Sequence, residues 1–326
     1  MKAVTLKAFG GPEVLEISDV PKPEPLEHQI LVKVRATALN RADTLQRKGL
    51  YPPPAGDSDI MGLELAGEVE ALGPGVTGFE KGQGVFGLIG GGGYAEYALI
   101  DAEMAMLIPE GWSFLEAAAV PEVFLTANET VFVLGGLSQG ESILIHAGGS
   151  GVGTAAIQMA NQIGAEIFFT AGSAEKIERA KALGAKEGIN YKTHDFAEEI
   201  KNLTNGTGVD VVEDFLGASY LSRNISILKP GGRLVIVALM GGAKTEIDLS
   251  RVLRNRLKIF GSVMRSRTLD DKRAITNRFR ERWLPELVAG RIQPVIDSTF
   301  SLDQVREAHE AMEANQNFGK IMLEVN

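Results

Sequence analysis

The hydrophobic pattern changes once along the chain. Over the first 120 residues or so, apolar and polar positions alternate. Gln29–Leu39 (QILVKVRATAL) has the period of two that a half-buried strand requires, and Gly62–Gly73 and Gly93–Ile100 read as strands punctuated by glycine. Pro21–Pro25 and Tyr51–Asp57 (YPPPAGD) predict turns or extended loops, because proline donates no backbone hydrogen bond. Four consecutive glycines, Gly90–Gly93, mark a special loop. Beyond about residue 122, short apolar runs alternate with helical patterns. Six strand-like runs (142–149, 166–172, 187–191, 209–217, 233–239 and 258–264) with crossover helices between them predict a doubly wound parallel α/β sheet. The tail has a long helical pattern over about Leu269–Ala289 and a last strand in 319–325, and it does not extend the alternation. The economical reading returns it to the first domain. Residues 1–121 and 265–326 then form one β-rich domain, and 122–264 is an insertion within it.

The inserted segment carries the strongest local motif. HAGGSGVG (His146–Gly153) follows an apolar run and opens a helical pattern. Gly149, Ser150, Gly151, Val152 and Gly153 form a turn whose backbone can approach a pyrophosphate, with the helix N-terminus aimed at it. A dinucleotide site selective for NAD ends the next strand with an acid that binds the ribose hydroxyls. Here the strand ends in Gly172 and Ser173, with Lys176 following. A hydroxyl and an ammonium suit a 2′-phosphate, hence NADPH. The competing reading makes Ser173 a helix cap and Lys176 a solvated first-turn residue.

Composition narrows the choice. At 326 residues the chain has room for roughly two domains. Its net charge of −9 disfavours phosphate backbones, so nucleic-acid binding is not expected. There is no Cys, which removes disulfides, thiolate nucleophiles and zinc sites built on thiolates. The four histidines, His28, His146, His194 and His309, are never three or four residues apart, so a two-histidine helical metal motif is absent. The N-terminal stretch has no apolar signal core, and no window of about 18 uninterrupted apolar residues occurs; a soluble, cytoplasmic protein is expected.

Longer motifs make the reading specific. LNRADTLQRKGLYPPP, GLELAGEVEALGPGV, AAAVPEVFLTANETV, HAGGSGVGTAAIQ, KALGA, KPGGRLVIVALMGG and FGKIMLEV together run the length of the chain. With them the chain resembles the zinc-independent medium-chain dehydrogenases/reductases of the zeta-crystallin-like quinone oxidoreductase type, closest to the tumour-suppressor-inducible branch. The resemblance implies a Rossmann sheet of six strands inserted in a GroES-like β-rich catalytic domain, with the active site in the cleft between them. Zinc-dependent relatives place a histidine where this chain has Leu63, so no metal is expected, and Glu64 stands as a structural carboxylate. The resemblance also puts Asn40 and Tyr51 near the nicotinamide. Tyr51 would donate to the developing oxyanion and Asn40 would orient acceptor or ribose. The alternatives are a helix cap for Asn40, packing on Pro52–Pro54 for Tyr51, and a first-turn helix acid for Asp43. By the same resemblance Thr126, Tyr191, Leu239, Met240, Gly241, Met264, Asn317, Gly319 and Lys320 contact the cofactor. Core packing competes for Leu239 and Met240, and a solvated charge for Lys320. His146 reads as a satisfied structural histidine.

The implied activity is metal-free, NADPH-dependent reduction of quinones, ortho-quinones favoured, by a homodimer joined through the apolar edge strand Lys258–Met264. An enoyl reductase of α,β-unsaturated ketones or acyl thioesters is one alternative. A non-enzymatic NADPH-binding crystallin or RNA-binding protein is the other.

Overall fold

The computed structural model describes all 326 residues. They form two units: Met1–Leu125 with Arg265–Ala289 and Pro294–Asn326, and Thr126–Met264 with Gly290–Gln293.

The first unit is built on a seven-stranded sheet. Gln29–Ala38 is its centre, flanked by Lys320–Glu324 on one side and by Glu64–Leu72 on the other, all antiparallel. Tyr97–Asp101 pairs with the first half of the same central strand. Gly84–Leu88 and Met106–Leu107 extend the sheet past Glu64–Leu72, and Ile296–Ser301 lies parallel beside Lys320–Glu324. A small hairpin pairs Lys2–Leu6 with Leu15–Asp19. The central strand departs from strict alternation. Leu31 and Val32 are both buried, because the register with Glu64–Leu72 shifts between them.

The second unit contains a six-stranded parallel sheet in the order Glu187–Asn190, Glu166–Ala171, Ser142–Ile145, Val209–Asp214, Leu228–Ile236, Lys258–Gly261. The chain winds outward in one direction from Ser142–Ile145 and in the other from Val209–Asp214. The carboxyl ends of these two strands are therefore the switch point where such sheets bind ligands. Leu144, Phe168, Phe196, Ile200, Val212 and Leu234 form the core beneath.

Two elements differ from the expectations. The crossover helix before the fifth strand is short, Leu221–Ser226, and that strand begins at Leu228 rather than at 233. Pro230, Gly231 and Gly232 are absorbed as a bulge, with the register jumping between Val209 and Val211. The long tail helix ends at Arg282 and restarts as Leu284–Val288, because Pro285 has no N–H to continue it. Phe114–Leu134 is long and apolar enough by composition to cross a membrane, with Glu116, Glu122 and Glu129 interrupting the apolar run. Its side chains are mostly buried within the protein, as in a core helix.

Candidate active site

In the second unit, Ser142–Ile145 runs into a turn at His146–Gly149, where Ala147 is left-handed at φ 52°. A Cβ on Gly148 would stand 2.6 Å from the Phe169 ring, and one on Gly153 would stand 2.5 Å from the Ala147 carbonyl. Only glycine lets the loop lie this close to the strand below. Ser150 caps the helix Gly151–Gln162, its Oγ accepting from the Gly153 N–H at 3.0 Å. The turn thus presents a helix N-terminus at the switch point, a cradle that fits a pyrophosphate.

The end of the adjacent strand also fits its expected ligand. A Cβ on Gly172 would be 2.7 Å from the Tyr191 hydroxyl and 3.3 Å from Lys192 Cε, so both side chains converge over this glycine. Ser173 does cap its helix, accepting from the Lys176 N–H at 3.3 Å. Its own O–H is still a donor, so the cap and a phosphate contact are compatible. Lys176 is half-buried beside it. Lys192 was not foreseen, although its place directly after Tyr191 was the available signal.

Leu239 and Met240 are about half exposed, not core, and lead into Gly241 past the strand Leu228–Ile236. Met264 is half-buried at the end of this unit. Thr126 is buried, and its carbonyl accepts the Thr130 hydroxyl at 2.8 Å. His146 is wholly buried between Thr170 Oγ1 at 3.1 Å and Asn224 Oδ1 at 2.7 Å. Burial pushes it down to about 4, so it stays neutral. Glu213 is also wholly buried. The Thr130 hydroxyl donates to its Oε1 at 2.6 Å, Oε2 has no partner, and burial pushes the carboxyl up to about 8.

The first unit holds a denser polar cluster, and the sheet explains it. Asn40 lies just past the end of the central strand, while Glu64 and Lys320 begin its two antiparallel neighbours. Antiparallel pairing therefore brings all three to one sheet end. Lys320 Nζ donates to Glu64 Oε1 at 2.7 Å, to Asn40 Oδ1 at 2.7 Å and to the Leu39 carbonyl at 3.3 Å. Asn40 Nδ2 donates to Glu64 Oε1 at 2.9 Å, and the Glu122 N–H donates to Glu64 Oε2 at 2.8 Å. Glu64 is 0% and Lys320 3% exposed, so Lys320 is neither a solvated charge nor a cation left free for a ligand. Asn317 and Gly319 precede it in a loop where Asn317 Nδ2 donates to the Gly319 carbonyl and Gly319 is left-handed at φ 96°.

Asn40 is also the cap of the helix Arg41–Arg47. Asp43 accepts the Asn40 N–H at 2.7 Å and the Gly62 N–H at 3.1 Å. Asp43 is wholly buried, and burial pushes it up to about 6 despite those bonds. Glu122, on the first turn of the helix Pro121–Ala127, is pushed up to about 7. Burial contributes most, opposed by Lys320 and reinforced by Glu64 and Asp43.

Tyr51 is half-buried. Its carbonyl accepts from Arg265 Nη1 at 3.2 Å, and the guanidinium carbon lies 5.5 Å from its ring centroid. Arg265 Nε reaches the Gly90 carbonyl at 2.8 Å, tying the proline-rich loop to the glycine loop. Arg265 is only 5% exposed, and its Nη2 has no partner. Burial raises the Tyr51 phenol, while the Arg265 cation pulls it down. Sequence reasoning missed both Glu122 and Arg265. A charged residue inside the apolar run AAAVPEVFL was the signal for the first; nothing marked the second.

The donor set does not fit a metal. No three His, Cys, Asp or Glu side chains are grouped to hold one, and an ammonium occupies Glu64.

Comparison with known proteins agrees with this geometry. The alcohol dehydrogenase GroES-like domain matches residues 26–110, and the zinc-binding dehydrogenase domain matches 151–281. Quinone oxidoreductase of Rattus norvegicus is 33% identical over 326 residues, 99% of this chain and 97% of its own length. Among solved structures, an NAD-dependent alcohol dehydrogenase is 36% identical with a TM-score of 0.88, each chain covered in full. The Escherichia coli quinone oxidoreductase complexed with NADPH is 29% identical with a TM-score of 0.90, over 99% of this chain and 100% of that one.

Proposed function

The chain belongs to the medium-chain dehydrogenases/reductases, in their quinone oxidoreductase type, and from that premise we propose that it reduces quinones with NADPH, without a metal and with ortho-quinones favoured. The carrying observation is the Glu64 carboxylate, closed by Lys320, Asn40 and a backbone N–H beside Leu63. A site built this way has no Lewis acid to stabilise an alkoxide, which an alcohol substrate would need. A quinone spreads incoming charge over its own oxygens and needs mainly positioning and one or two donors.

When bound, NADPH supplies the hydride. The turn 149–153 would hold its pyrophosphate. Gly172, Ser173, Lys176 and Tyr191 would hold the 2′-phosphate, with Lys192 adding a second cation. Tyr51 donates its hydroxyl proton as a hydrogen bond to the acceptor oxygen. The amide of Asn40 is fixed from both ends, its Nδ2 on Glu64 and its Oδ1 on Lys320, so its orientation does not depend on the ligand. An ortho-quinone presents two vicinal carbonyls, which the Tyr51 hydroxyl and the second N–H of the Asn40 amide would serve as donors. The edge strand Lys258–Gly261 is paired on one side only and exposes Ile259, which supports a homodimer.

NADPH and NADH oxidation should be followed with ortho-quinones, para-quinones, enones, enoyl thioesters and alcohols, before and after exhaustive chelation. The expected result is turnover of quinones, fastest with ortho-quinones, that survives chelation and prefers NADPH. Turnover confined to alcohols, or lost with a stoichiometric metal, would reject the reading. Light scattering at micromolar concentration tests the dimer, a mass near 34.9 kDa excluding it.

A further inference from the structure

We propose that Glu122 is the acid that protonates the reduced acceptor. This rests on the quinone-reductase reading and adds to it the proton that must accompany the hydride.

Three acids surround the cluster, and their surroundings differ. Glu64 is wholly buried with an ammonium, an amide and a backbone N–H on its oxygens. Asp43 is wholly buried and accepts two backbone N–H groups. Neither can reach a substrate or spare its oxygens. Glu122 is half-buried, and its own N–H anchors it to Glu64 at 2.8 Å. No group in the protein donates a hydrogen bond to its carboxyl, and no cation pairs with it. Of the three it alone has no donor on its carboxyl, and its charge raises the Tyr51 phenol.

Its proton is also available at the right pH. The groups acting on it are Lys320 from the last strand, Glu64 from the strand Glu64–Leu72 and Asp43 from the helix Arg41–Arg47. The carboxyl sits near 7 because burial and the two acids outweigh the ammonium. An acid poised there is protonated often enough to donate and acidic enough to let go.

The step balances. Hydride addition to the quinone delivers two electrons and one proton and leaves a hydroquinone monoanion. The O–H bond of the Glu122 carboxylic acid breaks as the O–H bond of the hydroquinone forms. The carboxylate then regains a proton from water. Tyr51 keeps its proton and serves as a hydrogen-bond donor.

The test is the pH dependence of kcat for an ortho-quinone at saturating NADPH in wild type, Glu122→Gln and Glu122→Asp, alongside an infrared titration of the carboxylic C=O stretch without cofactor. Wild-type kcat should be level at acid pH and fall as pH rises through about 7. Glu122→Gln should lose that limb and be about 10- to 100-fold slower at pH 6, the low end for general acid catalysis because a hydroquinone anion already spreads its charge over the ring. Glu122→Asp should restore the limb at reduced rate. The part of the infrared band that titrates near 7 should be lost in Glu122→Gln, leaving the contributions of Asp43 and Glu213. Turnover in Glu122→Gln with the wild-type limb and rate overturns the role of Glu122 while leaving the reductase reading standing. A wild type inert toward every acceptor rejects the reductase reading, and this role with it.

Discussion

Glu64 and Glu213 are both wholly buried carboxyls on strands, one in each unit, and their neighbourhoods are opposite. Glu64 is surrounded by an ammonium, an amide and a backbone N–H. Glu213 has one hydroxyl, and one of its oxygens faces nothing polar. A buried carboxylate keeps its charge only where a cation and donors replace water; without them it takes up a proton. Glu64 therefore works as a fixed ion-pair partner that orients Asn40. Glu213 behaves at neutral pH as a carboxylic acid.

The sharpest way to break this contrast is to remove the cation. Lys320→Met leaves Glu64 buried and uncompensated and should destabilise the first unit by about 3–5 kcal/mol in denaturant unfolding. Adding Glu64→Gln should recover a large part of that loss; no recovery would mean that the ammonium matters for packing alone.

The second effect follows from Glu213. Its folded-state value lies above the ordinary carboxyl value, so the folded protein binds more protons than the unfolded chain between about 4.5 and 8. The stabilisation is complete below that window and is lost as pH rises through it. The loss should be on the order of 2–4 kcal/mol across the window, allowing for relaxation around the group. Thermal unfolding from pH 5 to 8.5 should show the decline, and Glu213→Gln should remove its share, leaving that of Asp43 and Glu122. An unchanged slope would mean that Glu213 is ionised and paired.

Arg265 offers a cation to set beside these acids, since it is buried on two carbonyls with no carboxylate partner. Arg265→Met should free the Tyr51 loop and lower quinone turnover about tenfold, the scale of one misplaced donor. NADPH affinity should change little, and Arg265→Lys should restore part of the rate. In a Tyr51→Phe background the Arg265→Met effect should shrink; full additivity would separate the two residues.

The smallest expected effects lie at the rim of the nucleotide site. Lys176→Ala should weaken NADPH about tenfold while sparing NADH, as expected for loss of one charged hydrogen bond. The exposed Lys192 should matter less, about two- to fivefold, and mostly at low salt. Calorimetric titration of both cofactors measures each; equal losses for NADH and NADPH would remove both lysines from the 2′-phosphate.

The parallel sheet was legible because each of its strands is a short apolar run and each crossover has a helical period. The glycine loop was legible because glycine at those positions answers a local steric demand. What stayed hidden is long-range. Lys320 and Glu64 are 256 residues apart, and only antiparallel pairing on either side of Gln29–Ala38 makes them neighbours. Lys320 consequently read as a ligand contact or a solvated charge. Glu122 looked like a helix residue because nothing local reveals which carboxylates lack donors. The bulge at Pro230–Gly232 was misread as the boundary before the strand, because proline and glycine mark both.

The ring of Phe169 beneath Gly148 has a further consequence. The phosphate turn is cast against a side chain that belongs to the protein, so its shape is ready before any nucleotide arrives. Little ordering entropy is then left to spend at the moment of capture, and association should proceed in one kinetic phase. The same ring lies 2.3 Å from where a Cβ on Gly188 would stand, so a single aromatic side chain holds two glycines in trust. Change in any one of the three would have to be answered at the other two. Gly148, Phe169 and Gly188 are thus bound together by sterics.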